Sequence, residues 1–265
     1  MSLNFAGISP HPPLILPEIA EPTDLAKVGE TVLGMKKLAT DFKNAEIDTL
    51  VVVSPHGLIY PDKFNICAMK KLFGTFASFG HPDLIVEGEN DIDFVSHLKK
   101  VTDENTIPSV FYDNGGEFYE LDHGVMVPVK YLVATADNPF KIVPISYSNL
   151  DRAHHFAFGQ ALKDAAQASS ERIGILASGD LSHQLIQNSD GKVFDETLVQ
   201  DIKDNNTKEI IYYDEEFVEN AGECGYRSIL VLLGALDGID AKPEVLSYEG
   251  PYGVGYLVAN YELRN

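Results

Sequence analysis

Two short apolar runs that each break into Ser-Pro-His constrain this chain more than any other feature: Ile8-Ser9-Pro10-His11-Pro12-Pro13 and Val51-Val52-Val53-Ser54-Pro55-His56-Gly57. Each run reads as a buried strand. The Pro and Gly residues behind it turn the backbone out of the sheet, because proline has no N–H to give to a ladder. Each imidazole therefore stands at a strand's carboxyl end. Between the runs, Leu25, Val28, Val32, Met35, Leu38 and Phe42 recur with helical period, and Pro22-Thr23-Asp24 offers capping side chains and negative charge at the start. Strand, helix, strand makes a right-handed βαβ unit whose second strand returns parallel to the first. Both histidines then open on one edge of the sheet, where α/β proteins bind their ligands.

The remainder of the 265 residues extends this pattern. Ile173 to Ser178 is a third apolar strand, and Gly179-Asp180-Leu181-Ser182-His183 delivers a third histidine to the same edge. Lys141 to Ser146 reads as another buried strand, followed by an amphipathic helix from about Asp151 to Ala168. Phe64 to Met69 and Leu84 to Val86 read as strands elaborating the sheet edge, Ile92 to Val101 as a helix, and Ser109 to Tyr112 as a strand. Val125 to Val133 predicts a helix with Pro128 in its first turn. The charged stretch Gly191 to Glu219 predicts solvated helices, and Ile229 to Leu236 an apolar one. Glu244 to Ala259 predicts a pair of strands with Tyr252 and Tyr256 near the turn. The expected fold is a single α/β domain over residues 1–265, an open, largely parallel or mixed central sheet flanked by helices, with a metal site at the carboxyl ends of the strands.

Hydrophobic residues make up 45% of the chain, enough for a full core, and the net charge of -20 surrounds it with acidic surface. That charge argues against nucleic acid and anionic membranes as partners. The run Ile229 to Leu233 is too short to span a bilayer. Met1-Ser2-Leu3-Asn4 lacks the basic start of a secretion signal, so the expected location is cytoplasmic. Two cysteines, Cys67 and Cys224, are too few for a disulfide framework or a four-cysteine zinc site. A homodimer is the base-rate expectation for assembly.

Non-haem Fe(II) oxygenases use two histidines and one carboxylate on one face of the ion, leaving positions open for oxygen and substrate. His11, His56 and Glu223 fit that inventory, the Gly-flanked Glu223-Cys224 pair lying where a helix start can project a ligand inward. His183, with Asp180 three residues before it, suits an acid/base pair. His123, beside Asp122, suits the orientation of a substrate oxygen, and Tyr252 and Tyr256 suit an aromatic pocket. Any one of these side chains alone serves equally well as a structural hydrogen-bonding or packing group. The matched Ser-Pro-His contexts raise the set above that level. His81, His97, His154 and His155 lack a strand-end context and stay outside the site.

Ser9-Pro10-His11-Pro12-Pro13, Ser54-Pro55-His56-Gly57, Asp122-His123-Gly124-x-x-Val127-Pro128 and Ser182-His183-Gln184-Leu185, in this order across nearly the whole chain, resemble the class III extradiol ring-cleavage dioxygenases of the protocatechuate 4,5-dioxygenase beta-subunit type. Ala221-Gly222-Glu223-Cys224-Gly225 and Ser247-Tyr248-Glu249-Gly250-Pro251-Tyr252-Gly253-Val254-Gly255-Tyr256 are most similar to the branch called AmmeMemoRadiSam system protein B, related to the Memo proteins. The resemblance implies Fe(II) held by His11, His56 and an acidic residue of the 223 to 224 region, with His183 as acid/base and His123 as substrate-orienting residue. It implies a catechol-like or aminophenol-like ring and O2 as substrates.

The chain departs from the ring-cleaving pattern in three ways. Alignment on the following glycine puts Cys224 where those enzymes carry glutamate, as in Memo proteins; a thiolate favours zinc or copper over Fe(II). Asp180 precedes His183 as in Memo and is a further candidate ligand. Nothing in the chain resembles the small alpha subunit that closes the pocket of two-subunit dioxygenases. A Memo-like metal-binding protein without ring cleavage is therefore the alternative expectation, and a zinc hydrolase using His11 and His56 a third.

Overall fold

The computed structural model describes residues 3–264; Met1 and Ser2, half of the segment read as lacking a secretion signal, and Asn265 lie outside them. The strands are β1 (Leu3–Ser9), β2 (Thr49–Ser54), β3 (Phe64–Cys67), β4 (Lys71–Phe76), β5 (His81–Glu89), β6 (Ser109–Tyr112), β7 (Tyr119–Glu120), β8 (Lys141–Ser146), β9 (Ile173–Ser178), β10 (Ala241–Glu249) and β11 (Tyr256–Leu263). The helices are α1 (Pro22–Lys27), α2 (Gly29–Ala45), α3 (Ile92–Glu104), α4 (His123–Val133), α5 (Arg152–Ala168), α6 (Ser189–Lys203), α7 (Thr207–Ile211), α8 (Glu215–Ala221) and α9 (Tyr226–Ala235).

Eight strands form one mixed sheet in the order β10-β11-β1-β9-β2-β8-β3-β6. β1, β9, β2 and β8 run parallel in its centre, and β11 and β3 flank them antiparallel. β2 and β9 are buried along their whole length, as strands covered on both faces must be. One face carries a core that includes Phe158, Leu162, Phe194, Leu198 and Leu230; the other carries Met35, Leu38, Phe42, Val125 and Val129, together with side chains of a separate sheet, β5-β4-β7. β1 and β2 point the same way, as the βαβ reading requires, but β9 inserts between them and pairs with both. The strand carrying the third histidine thus lies between the strands carrying the first two.

Several local expectations are corrected. The helix after the first strand is broken at buried Val28, and its capping residues make no side-chain cap: α1 starts at Pro22 behind Glu21, and α2 restarts at Gly29. The hydrogen bonds continue through the break, Val28 N–H donating to the Asp24 carbonyl at 3.1 Å and Val32 N–H to the Val28 carbonyl at 3.0 Å, so only the dihedrals of Val28 depart from the helix. Leu84 to Val86 belongs to β5, a strand of the small sheet, so only β3 of that region joins the main sheet. The charged stretch after Gly191 keeps one face in the core through Phe194, Leu198 and Ile202. α4 begins at His123, not Val125, which places Pro128 in its second turn.

α5 and α9 cross so closely that a Cβ on Gly159 would collide with the Val231 carbonyl, and one on Gly234 with the Phe156 carbonyl. Gly159→Ala is expected to destabilise the protein by about 1–3 kcal/mol through overpacking, measured by urea denaturation. His155, wholly buried, donates its Nδ1–H to the Asp151 carbonyl at 2.8 Å. Burial lowers its imidazole to about 4, helped by Arg227 and opposed by the bond to Asp151. Because the folded value lies below that of the unfolded chain, the neutral ring's contribution is complete above pH ~6.5 and is lost as pH falls toward 4. His155→Phe should therefore show a drop in unfolding free energy between pH 7 and 4.5 that is shallower than the parent's by about 2 kcal/mol.

Candidate metal centre

The carboxyl ends of β1, β2 and β9 each close on a buried serine, Ser9, Ser54 and Ser178, and the residues that follow build the site. His11 is 2% exposed. Its backbone N–H donates to Asp180 Oδ1 at 3.0 Å, and its Nδ1 lies 3.0 Å from Ser178 Oγ. The Ser178 hydroxyl donates its proton to the Gly124 carbonyl at 2.6 Å, so it accepts from His11, and His11 carries its proton on Nδ1. Pro128 makes this possible: four residues after Gly124 in α4, it lacks the N–H that would ordinarily fill that carbonyl. The Nε2 lone pair of His11 is thereby aimed at the other donors, the orientation a metal-ligating imidazole takes when its second nitrogen is held by a hydrogen bond.

Two groups of ligand atoms share His11. His11, His56 and His123 form one, and His11, Asp180 and Cys224 the other, with all atoms in each group within 4.8 Å of one another. His56 Nε2 lies 2.9 Å from His11 Nε2, Cys224 Sγ 3.7 Å and Asp180 Oδ2 3.9 Å. Donors bound to one ion at about 2.0–2.3 Å stand roughly 3–4 Å apart, which each of these separations from His11 matches; His11 is the member common to both groups. Cys224 reaches this position because Gly225 and Gly179 touch backbone to backbone, where any side chain would clash; the Cys224 and Gly225 N–H groups both donate to the Asp180 carbonyl, at 3.2 and 2.9 Å.

The electrostatics point the same way. Burial, then His56, His123 and His183, hold the His11 imidazole well below its ordinary range. Burial and His123 bring His56 down to about 4, and burial lowers His123. Burial raises the Asp180 carboxyl to about 7, and burial followed by Asp180 raises the Cys224 thiol. Neutral imidazoles facing acids kept from ionising are a set that one cation would satisfy.

The other sequence-derived residues separate. Glu223 does not enter either group: its Oε2 accepts the Tyr226 N–H at 2.5 Å at the start of α9, and burial, against that bond and Arg227, raises its carboxyl to about 7. His123, the first residue of α4, stacks on His56 with centroids 4.2 Å apart and meets Phe79 edge-on at 5.4 Å. His183 lies near enough to act electrostatically on His11 and His56, and its enclosed Nδ1 has no hydrogen-bond partner among the described residues. Tyr256 is buried next to Asp180. Tyr252 is held elsewhere, its hydroxyl donating to Asp24 Oδ1 at 2.5 Å with the Lys27 ammonium 5.0 Å from its ring. Ser178 and Pro128 were not among the expected site residues. The recurrence of serine at three strand ends was the signal for Ser178; Pro128 has none without knowledge of which carbonyl it frees.

This fold and donor set define an α/β protein with histidines gathered at the carboxyl edge of its parallel strands. The chain belongs to the family described as the catalytic LigB subunit of aromatic ring-opening dioxygenase, which it matches over residues 6–259. It is 34% identical to Protein CA_C1420 of Clostridium acetobutylicum, across 99% of this chain and 58% of that protein. It is 26% identical to a MEMO1 family protein of Methanococcus maripaludis strain C5, across 83% of this chain and 71% of the other, and 31% identical to one of Methanosarcina mazei, across 46% and 44%. The chain spans about half the length of the first curated relatives it matches. An uncharacterized protein of Escherichia coli K12, JW3007, shares the fold, with a TM-score of 0.67 at 17% identity over 97% of this chain and 98% of that one. Among the described residues, no helix is long and apolar enough to cross a membrane.

Ser178→Ala removes the acceptor that holds the His11 proton on Nδ1, and should weaken metal affinity roughly 10–100-fold. Pro128→Ala, which offers the Gly124 carbonyl a competing N–H, should weaken it in the same direction. Competition against a metallochromic chelator measures both, with circular dichroism as the control for folding.

Proposed function

We propose that this chain holds one metal ion through His11, His56 and Cys224, with Asp180 in reach, and performs oxidoreductase chemistry on a catechol-like or aminophenol-like ring with O2. The observation that carries the proposal is the approach of the freed His11 Nε2 to His56 Nε2 at 2.9 Å and to Cys224 Sγ at 3.7 Å. A bound ion supplies Lewis-acid polarisation and, as Fe(II), electron transfer between ring and oxygen. The protein's own groups do the rest. His123, fixed by its stacking on His56, orients a substrate oxygen. His183, near enough to His11 and His56 to act on them electrostatically, takes the phenolic proton and returns it, with Asp180 nearby in the chain. Burial of His11 and Asp180 keeps bulk water from the inner side of the site.

A second reading is supported by one feature. Cys224 lies beside His11 while Glu223 is engaged by the Tyr226 N–H; a thiol donor suits zinc or copper better than Fe(II). A Memo-like metal-binding protein without ring cleavage fits that donor set.

Anaerobic loading with Fe(II), addition of nitric oxide, and EPR before and after a simple catechol separate the two. The dioxygenase proposal expects an iron-nitrosyl signal that catechol changes, abolished in His11→Ala. Absence of that signal, in a protein that retains stoichiometric zinc or copper and loses it in Cys224→Ser, overturns ring cleavage in favour of the Memo-like reading.

A further inference from the structure

A cleft of about 620 Å³ opens beside His56 and is lined by the segment that leads into α4 and by the turn after β2. Its size lies within the range that small ligands occupy. Its walls have a definite chemistry. Leu58, Tyr112 and Phe118 supply apolar and aromatic surface, and Leu58 and Phe118 are each 44% exposed, so their side chains are open to a ligand. Asn114 adds a neutral amide. The ionisable carboxyls on the walls are Glu120 and Asp122, and among the described residues lining the cleft there is no lysine or arginine.

The two acids are not equivalent. Asp122 is engaged structurally, accepting the Ser54 hydroxyl at 2.5 Å. Glu120, on the short strand β7, is exposed, and among the described residues its carboxylate has no ion-pair partner. Away from the ion at His56, a negatively charged substituent entering here would meet an unneutralised carboxylate and no lysine or arginine, whereas an ammonium group would find a partner for a charge-assisted hydrogen bond and aromatic faces beside it.

We propose that this cleft seats the substrate's ring beside His56 and selects by charge: it accepts neutral or amine-bearing aromatic diols and aminophenols and rejects ring carboxylates, with Glu120 as the selecting residue. The proposal rests on the aromatic-substrate function above and narrows its substrate class.

Binding to zinc-loaded protein, which cannot turn the ligands over, is measured by calorimetry for dopamine, catechol and 3,4-dihydroxybenzoate, with zinc content determined on the same sample. Dopamine should bind at least 10-fold more tightly than 3,4-dihydroxybenzoate, with catechol between them. Glu120→Gln should narrow that ratio several-fold, and Glu120→Lys should reverse it. Tighter or equal binding of the dihydroxybenzoate to the parent protein overturns charge selection and leaves the metal proposal standing. An order unchanged in both Glu120 variants overturns the assignment to Glu120. Failure of all three ligands to bind protein with one zinc per chain overturns the cleft as a substrate site, while a zinc content far below one per chain counts separately against the metal proposal.

Discussion

The proton on His11 Nδ1 is the constraint around which the site is arranged. Its position depends on a chain of three elements distant in sequence: the Ser178 hydroxyl at the end of β9, the Gly124 carbonyl in α4, and the missing N–H of Pro128. If the hydroxyl were free to turn, His11 could protonate on either nitrogen, and its Nε2 lone pair would no longer be committed to His56 and Cys224. A helix-interior proline ordinarily costs about 3 kcal/mol or more. Here its missing donor has a structural use, since a buried carbonyl left open by proline needs another partner, and the serine is the partner that also orients the imidazole.

Around that point the protein concentrates groups that oppose one another's charge. Burial and neighbouring histidines both oppose the protonation of His11 and His56, and an aspartate and a cysteine are both buried enough to resist ionising. Like charges and desolvation without compensation are costly in a folded core. One cation reverses each of these penalties together, because neutral imidazoles and ionised acids are the forms that bind it. The acidic exterior, with a net charge of -20, adds a long-range field that favours the approach of cations. It is also the background against which a cleft with a free carboxylate and no basic residue distinguishes ligands by charge.

The elements that presented the histidines were legible in the sequence for simple reasons. Ser-Pro-His after an apolar run marks a buried strand that must end; two such deliveries, and a third through Gly179-Asp180-Leu181-Ser182-His183, in parallel strands leave their side chains on one edge. Which of Glu223 and Cys224 faces His11 is not legible, because the two are neighbours and either can face inward. The close approach of Gly225 to Gly179, and the use of Glu223 by the Tyr226 N–H, separate them. Tyr252 illustrates the opposite limit: a tyrosine at a hairpin turn reads as a pocket residue, yet Asp24 and Lys27, more than two hundred residues away, hold it against α1.

The sequence by itself determined the α/β class, the common direction of β1, β2 and β9 and the histidines that follow them, because apolar period, proline and glycine act over a few residues and need no distant partner. Tertiary structure alone decided the order of the strands, with β9 between β1 and β2, the small separate sheet, the placing of Cys224 rather than Glu223 beside His11, and the tautomer of His11. Each of these depends on backbone approach or a hydrogen bond between segments far apart in the chain, and a linear pattern carries no record of which distant carbonyl, glycine or carboxylate a residue will meet.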